Sequence, residues 1–376
     1  MYKISKQEFL GSITLELRPR LRSCIVFIFI GNNDPSSIGV KLRENSITIT
    51  LERTSKSLIL PSVKLLPTSL SSLRITNKWI SFRVQTNPEA IFGTFRTEVI
   101  SAIARSMETE NAGRLDLPEI GSECLLRCKC CENVITSIIK CNRVLPLPDR
   151  DCDPGEWFCC TNSKVDFSKL LRPQETDYFY GPSFCVLHND VLKNFKEKSN
   201  TILCKRCFTI LGLKEDMDSV RIWNCCVERK VGEEEFKSRN QSPLDEFVLT
   251  IKDCSDVMGE EILLEALEGN TTHYILMKPM EWQLDLLTES NSKWKGDLIR
   301  LQKARVIKVF YTYGESKKSV KNDYVHSKYY FIALPLMLAG IEHLIASTKR
   351  FPPAYRTVTQ YCVGYVNVQS FLVDKI

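Results

Sequence analysis

Two short cysteine pairs, Cys128-Lys-Cys-Cys131 and Cys204-Lys-Arg-Cys207, carry the plainest chemistry in this 376-residue chain. Two residues between cysteines let a tight turn aim both thiolates at one metal ion. Two such turns supply four sulfur ligands, a closed structural zinc site with no open catalytic position. The pairs are far apart in the chain, so the signal is looser than that of a compact zinc ribbon. Two unrelated pairs of buried cysteines would read the same way. A thioredoxin-like redox pair would need a βαβ setting and a thiol at a helix start, and neither pair opens a helical pattern.

A second constellation lies between the pairs. Arg143-Val-Leu-Pro-Leu-Pro148 leads into Asp149, Asp151 and Asp153, then into Gly155-Glu156-Trp157-Phe158-Cys159-Cys160. Adjacent cysteines do not comfortably share one tetrahedral metal, so one of them can face outward. An outward thiolate suits an open coordination position on another protein's zinc, and the neighbouring acids suit an electropositive surface. The plainer reading makes Trp157 and Cys159 local core and the acids solvated. Of the four histidines, His188 lies near Cys185 and is a candidate extra ligand, and His343 sits in an amphipathic pattern as a packing residue. No Ser-His-Asp arrangement, phosphate loop or dinucleotide fingerprint is present.

These residues must be held by a fold, and composition bounds it. The hydrophobic fraction is 43% and the charged fraction 26%, ordinary for a globular chain. The net charge of +6 is modest and is not gathered into a basic stripe, so direct nucleic-acid binding is not expected; Arg18, Arg20 and Arg22 read as a solvated turn. The N-terminal residues show no secretory pattern. The longest apolar runs, Ile25 to Ile30 and Phe331 to Ile341, are too short to span a bilayer. The expectation is a protein of cytoplasm and nucleus without membrane contact. Thirteen of the sixteen cysteines fall between Cys124 and Cys226. A reducing compartment disfavours disulfides, so such clustering points to metal.

The expected fold class is α+β in three parts. Residues 1–115 form a β-rich domain, from period-two alternation in Ser46 to Arg53 and Trp79 to Gln85 and the apolar strand Cys24 to Ile30. A helix through Val99, Ile103 and Met107 and a polar linker at Glu108 to Arg114 follow. Residues 116–226 form the zinc-stapled, cysteine-rich middle, in which metal makes up for scarce regular structure. Residues 227–376 form an α+β region. It opens with a polar linker at 227–245, then strands at Phe247 to Ile251, Tyr274 to Met277 and Arg305 to Tyr313, a helix at Leu336 to Lys349 and a last strand at Cys362 to Val368.

The strings RVLPLP, GEW with a cysteine two residues on, ETDYFYGPSF, and TILCKRC followed by ILG together resemble one known family. It is the HECT-like ubiquitin ligases that bind ubiquitin-conjugating enzymes. The likeness is close from Cys128 to Gly212 and looser toward both ends. It implies a ubiquitin-conjugating enzyme as partner and ubiquitin transfer as activity. A HECT-type route would need a thioester cysteine near the C-terminus. The candidate by position is Cys362, while Ala339 or Gly340 stands where the family has its own cysteine. The resemblance also implies that Cys159, with Trp157 and Glu156 as anchor, caps the zinc of the metallo-β-lactamase-type endonuclease that cleaves pre-mRNA before polyadenylation. A zinc-stabilised scaffold without catalysis is the alternative.

Overall fold

The computed structural model describes residues 10–18, 21–31, 34–52, 54–61, 63–76, 78–87, 117–147, 172–254, 260–290, 297–317 and 327–368. The first third supplies β1 (Ile13–Arg18), β2 (Ser23–Phe29), β3 (Ile38–Arg43), β4 (Ser46–Leu51), β5 (Thr54–Ile59), β6 (Leu65–Ile75) and β7 (Trp79–Thr86). The cysteine-rich middle supplies β8 (Glu123–Cys128), β9 (Ile139–Lys140), β10 (Arg143–Pro146), β11 (Asp177–Tyr180), β12 (Phe184–His188), β13 (Phe195–Lys198), β14 (Thr201–Cys204), β15 (Ile210–Lys214), β16 (Ser219–Trp223) and β17 (Val227–Val231). The last third adds α1 (Pro243–Cys254), β18 (Glu261–Glu268), β19 (Thr271–Glu289), β20 (Leu298–Gly314), β21 (Ser327–Phe331), α2 (Leu334–Thr348), β22 (Thr357–Val358) and β23 (Tyr361–Asn367).

One 13-stranded sheet joins the two ends of the chain, along the path β3-β4-β5-β20-β19-β1-β2-β7-β6. The joint is made by two long strands, β19 of 19 residues and β20 of 17. The N-terminal half of β19 pairs with β18, and its C-terminal half pairs with β1 from Asp285 to Thr288. Alternation sets the faces: Ile47 and Ile49 of β4 and Ile80, Phe82 and Val84 of β7 are buried together with Leu15 and Leu17. β1 is buried on both faces, which puts Glu16 wholly inside the protein. That carboxylate accepts from Lys308 on β20, from the Arg18 guanidinium at 3.0 Å and from the Tyr365 hydroxyl at 2.6 Å.

The cysteine-rich middle forms two further sheets. Seven strands run in the order β10-β11-β12-β16-β15-β14-β13, and three in the order β17-β8-β9. The helices lie between this middle and the long-stranded sheet. Phe247 and Ile251 of α1, Leu336 and Leu344 of α2, Ile262 and Ile275 of the large sheet and Trp223 of the middle share one core. Trp223 stacks on Phe331 at 5.9 Å between ring centroids. Gly340 of α2 lies under the Phe247 ring, where a β-carbon would come within 2.4 Å of it.

Three expectations change. The middle, expected to be scarce in regular structure, carries one sheet of seven strands and one of three, and the fold is mostly β, as the β-rich N-terminal expectation has it, with two α-helices among the described residues. Phe247 to Ile251 is part of α1 and not a strand. Its buried residues Phe247, Val248, Ile251 and Cys254 repeat at helical spacing. A capping box opens it: the Asp245 N–H donates to the Ser242 hydroxyl at 3.2 Å, and the Ser242 N–H donates to the Asp245 carboxylate at 3.0 Å. Val227 to Val231 is strand β17, paired along β8, and not linker. The expected helix at Val99 to Met107 and the linker after it lie outside the described residues. No helix among the described residues is long and apolar enough to cross a membrane.

Burial by itself would raise the Glu16 pKa, but Lys308, Arg18 and Tyr365 outweigh it and hold the carboxyl below its ordinary value. A depressed folded pKa contributes stability that is present above the unfolded value and is lost as pH falls through the folded one. Glu16→Gln should therefore cost about 3–5 kcal/mol in chemical unfolding near neutral pH, because Lys308 loses its counter-ion. The gap between wild type and variant should close only well below pH 4.5, the ordinary carboxyl value; a gap that is constant through that range would refute the ion-pair account.

Candidate metal centre

β8 and β14 belong to different sheets, and each ends on a buried cysteine, Cys128 and Cys204. Beyond each, the chain makes the same turn. The Cys128 N–H donates to the Asn133 carbonyl at 2.8 Å, and the Glu132 N–H donates to the Cys128 carbonyl at 2.8 Å. The Cys204 N–H donates to the Thr209 carbonyl at 2.9 Å, and the Phe208 N–H donates to the Cys204 carbonyl at 2.9 Å. Glu132 and Phe208 take the left-handed backbone conformation that closes each turn, with φ of 60° and 61°.

Each turn also aims its amides at sulfur. The N–H groups of Cys130 and Cys131 donate to the Cys128 sulfur, and those of Arg206 and Cys207 donate to the Cys204 sulfur. The Asn133 N–H donates to the Cys131 sulfur, and the Thr209 N–H to the Cys207 sulfur. The two turns are therefore copies of one device for stabilising thiolates.

The four sulfurs converge. Cys128 Sγ lies 3.6 Å from Cys207 Sγ, and Cys131 Sγ lies 3.5 Å from Cys204 Sγ. All four fall within 4.8 Å of one another. Four thiolates about 2.3 Å from a tetrahedral zinc stand about 3.8 Å from each other, so the cluster needs little adjustment to close on an ion. Burial opposes ionisation throughout. At Cys207 the Thr209 hydroxyl and N–H outweigh it and bring the thiol down to about 6; Cys204 is lowered as well. At Cys128 and Cys131 burial prevails and the thiols are raised. Bonds across the junction hold the turns together. Arg206 Nη1 donates to the Cys131 carbonyl at 3.0 Å, and Asn133 Nδ2 donates to the Cys204 sulfur at 3.5 Å. An all-sulfur, half-buried donor set with amides aimed at it fits a structural metal ion.

The other candidates lie elsewhere. His188 is not beside the cysteine cluster. It caps a short 3₁₀ turn, accepting from the Asp190 N–H at 3.3 Å, and groups with Glu175 and Asp190. His343 is a packing residue of α2, its pKa lowered by burial. Cys362 is half-buried inside β23, flanked across the sheet by Tyr311 and Thr357. Glu156, Trp157 and Cys159 lie outside the described residues, but both ends of their segment are pinned. β10 and β11 run parallel. The Arg143 guanidinium makes a two-pronged contact with the buried Asp177 carboxylate, one prong at 2.8 Å. The Leu147 N–H donates to the Tyr180 carbonyl at 2.9 Å. Asn133 and Thr209 escaped the sequence reading, although each stands two residues after the second cysteine of its pair.

The turn geometry gives a prediction at its strained positions. Glycine at 132 or 208 relieves the left-handed backbone, so Glu132→Gly and Phe208→Gly should leave stability unchanged or raise it by about 0.5–1 kcal/mol. Valine at either position should cost about 1–2 kcal/mol by the same thermal unfolding measurement. Equal behaviour of glycine and valine would mean that the turns are not as described.

A family model described as HECT-like ubiquitin-conjugating enzyme (E2)-binding matches residues 16–363. A curated relative from Homo sapiens, named as an E3 ubiquitin-protein ligase, is 26% identical over 226 residues, covering 53% of this chain and 54% of its own length. The protein of the same name from Rattus norvegicus is 26% identical over 205 residues, covering 53% and 50%. The chain thus spans about half the length of the curated relatives it matches. No solved structure matches it significantly.

Proposed function

The chain belongs to the HECT-like, ubiquitin-conjugating-enzyme-binding family, and from that we propose that it binds a ubiquitin-conjugating enzyme and promotes ubiquitin transfer as a ligase. The observation that carries this reading is the extent of the family match, from β1 to β23. The curated relatives bear the name of ubiquitin-protein ligases. We assign the four-cysteine cluster to zinc. The ion closes the gap between the three-stranded and seven-stranded sheets and takes no part in chemistry, since four thiolates leave it no open position. The chain's own residues supply the thiolates and the amide donors that stabilise them.

The geometry bears on the route of transfer. A thioester carrier needs its sulfur open to attack. Cys362 is half-buried in β23, its side chain packed against the core that the large sheet shares with the two helices. Transfer directly from the conjugating enzyme fits this setting better than relay through Cys362. A second reading rests on the pinned base of the segment after β10: Cys159, anchored by Trp157 and Glu156, enters the zinc site of a metallo-β-lactamase-type pre-mRNA endonuclease, which the chain thereby occludes or chaperones. The resemblance and the parallel β10–β11 clamp support it.

Three measurements test these readings. Purified protein should carry about one zinc per chain by atomic emission. Cys204→Ser should lose it, and chelation should loosen β8 and β14 in hydrogen exchange; zinc well below one equivalent in folded protein sinks the assignment. Full-length protein titrated with conjugating enzymes should bind at least one and speed discharge of its ubiquitin, with Cys362→Ser behaving as wild type. A thiol-sensitive ubiquitin adduct lost on Cys362→Ser would establish relay instead. In an affinity capture from cell extract, Cys159→Ser should lose the endonuclease and keep the conjugating enzyme; capture of the endonuclease by the variant would exclude the second reading.

A further inference from the structure

Against β8 and β17 lies a small cavity of about 10 Å³, lined by Leu126, Tyr178, Asn224, Val227, Arg229, Lys237 and Arg239. It is large enough for one particle of water size. It lies where β17 and the segment after it, joined by paired backbone bonds between Arg229 and Lys237, meet β11 and the end of β16. Two guanidinium groups face it, and none of its lining residues carries a carboxylate.

The polar groups at this place are donors that lack acceptors. Arg239 Nη1 and Nη2 are buried and make no hydrogen bond, and neither does Asn224 Nδ2. Asn224 is 4% exposed. Its backbone is satisfied, the N–H donating to the Ser183 carbonyl at 3.0 Å, so only the amide side chain is left over. The Tyr178 hydroxyl is taken up by the Cys185 thiol. Arg229 has the Cys124–Cys141 pair beside it. Glu246 is the carboxyl that acts on Arg239, but it is 1% exposed, and burial pushes it up to about 8 against the pull of Arg239 and Lys129. No ion pair or hydrogen bond joins its carboxyl to Arg239, and its own Oε2 is buried without a hydrogen-bond partner.

A buried guanidinium without a counter-ion and a buried amide without an acceptor are each costly. A water molecule would meet three donor atoms with two lone pairs and would carry no charge. A halide accepts from all three and supplies the missing negative charge. We propose that this cavity is a binding site for one small inorganic anion of halide size, held by Arg239 and Asn224. The anion ties the segment after β17 to the end of β16 and so braces β8, which leads into Cys128.

Crystals of the full chain soaked in bromide test this directly. The expected result is an anomalous bromide peak within hydrogen-bonding reach of Arg239 and Asn224. Ordinary water density with no anomalous signal there overturns the proposal. In solution, replacing gluconate by chloride at constant ionic strength should raise the thermal midpoint by about 2 °C at a tenfold excess over the dissociation constant. Arg239→Gln should abolish that chloride response while the metal content stays unchanged; a response that survives in the variant counts against the site. Should the variant not fold, the bromide soak of the wild type still decides.

Discussion

Four thiols meet at the ends of two strands that belong to different sheets, and the shape of the cysteine-rich middle depends on that meeting. β8 and β14 share no ladder. Their junction is made by the cysteine turns, by Arg206 on the Cys131 carbonyl and Asn133 on the Cys204 sulfur, and by backbone bonds from Lys193 to the Ile135 carbonyl and from Ser137 to the Val191 carbonyl, both at 2.7 Å. Hydrogen bonds of this kind are each worth about 1 kcal/mol, and the two sheets also share one apolar core. Four like-charged thiolates would moreover repel each other. Burial raises the thiols of Cys128 and Cys131, while hydrogen bonds lower those of Cys204 and Cys207. A divalent cation would offset the repulsion between thiolates, and the duplicated amide donors are what a tetrathiolate of net negative charge requires around it.

That junction is coupled to the rest of the chain through the helices. α1 and α2 sit between the middle and the long-stranded sheet, and Gly340 lets the Phe247 ring lie directly on α2. Within the long-stranded sheet, Glu16 links β1 to β20 and β23 through Lys308 and Tyr365. The first and last thirds of the chain are thus one sheet, stapled by a buried ion pair, and the middle is mounted on it. A family match that runs from residue 16 to residue 363 agrees with such an arrangement, because removing either end would unpair β19 or β20.

Much of this was legible in the residues. Strong alternation marked β4 and β7, because one face of each is apolar and the other wet. The cysteine spacing named the four converging sulfurs, because a two-residue gap has few backbone solutions. What escaped was decided by distant partners. Phe247 to Ile251 has β-branched and aromatic residues and reads as a strand in isolation; the capping box at Ser242 and Asp245 and the apolar recurrence at Cys254 make it a helix. Val227 to Val231 is short and charged, and only β8 alongside makes it a strand. Glu16 drew no attention, since nothing local announces that β1 is covered on both faces.

The covalent question turns on packing. A thioester cysteine must reach an incoming thioester, release its proton and then present its acyl group to an amine. Gly340 lies beneath Phe247 with no room for a β-carbon and could not carry a cysteine side chain. The nearest alternative, Cys362, is bonded into a strand on both sides. Its half-buried side chain packs against the core that the large sheet shares with the two helices, so baring the sulfur would disturb that packing. A sulfur packed into a shared core suits a thioester carrier poorly, and this is the physical reason to favour transfer from a bound conjugating enzyme.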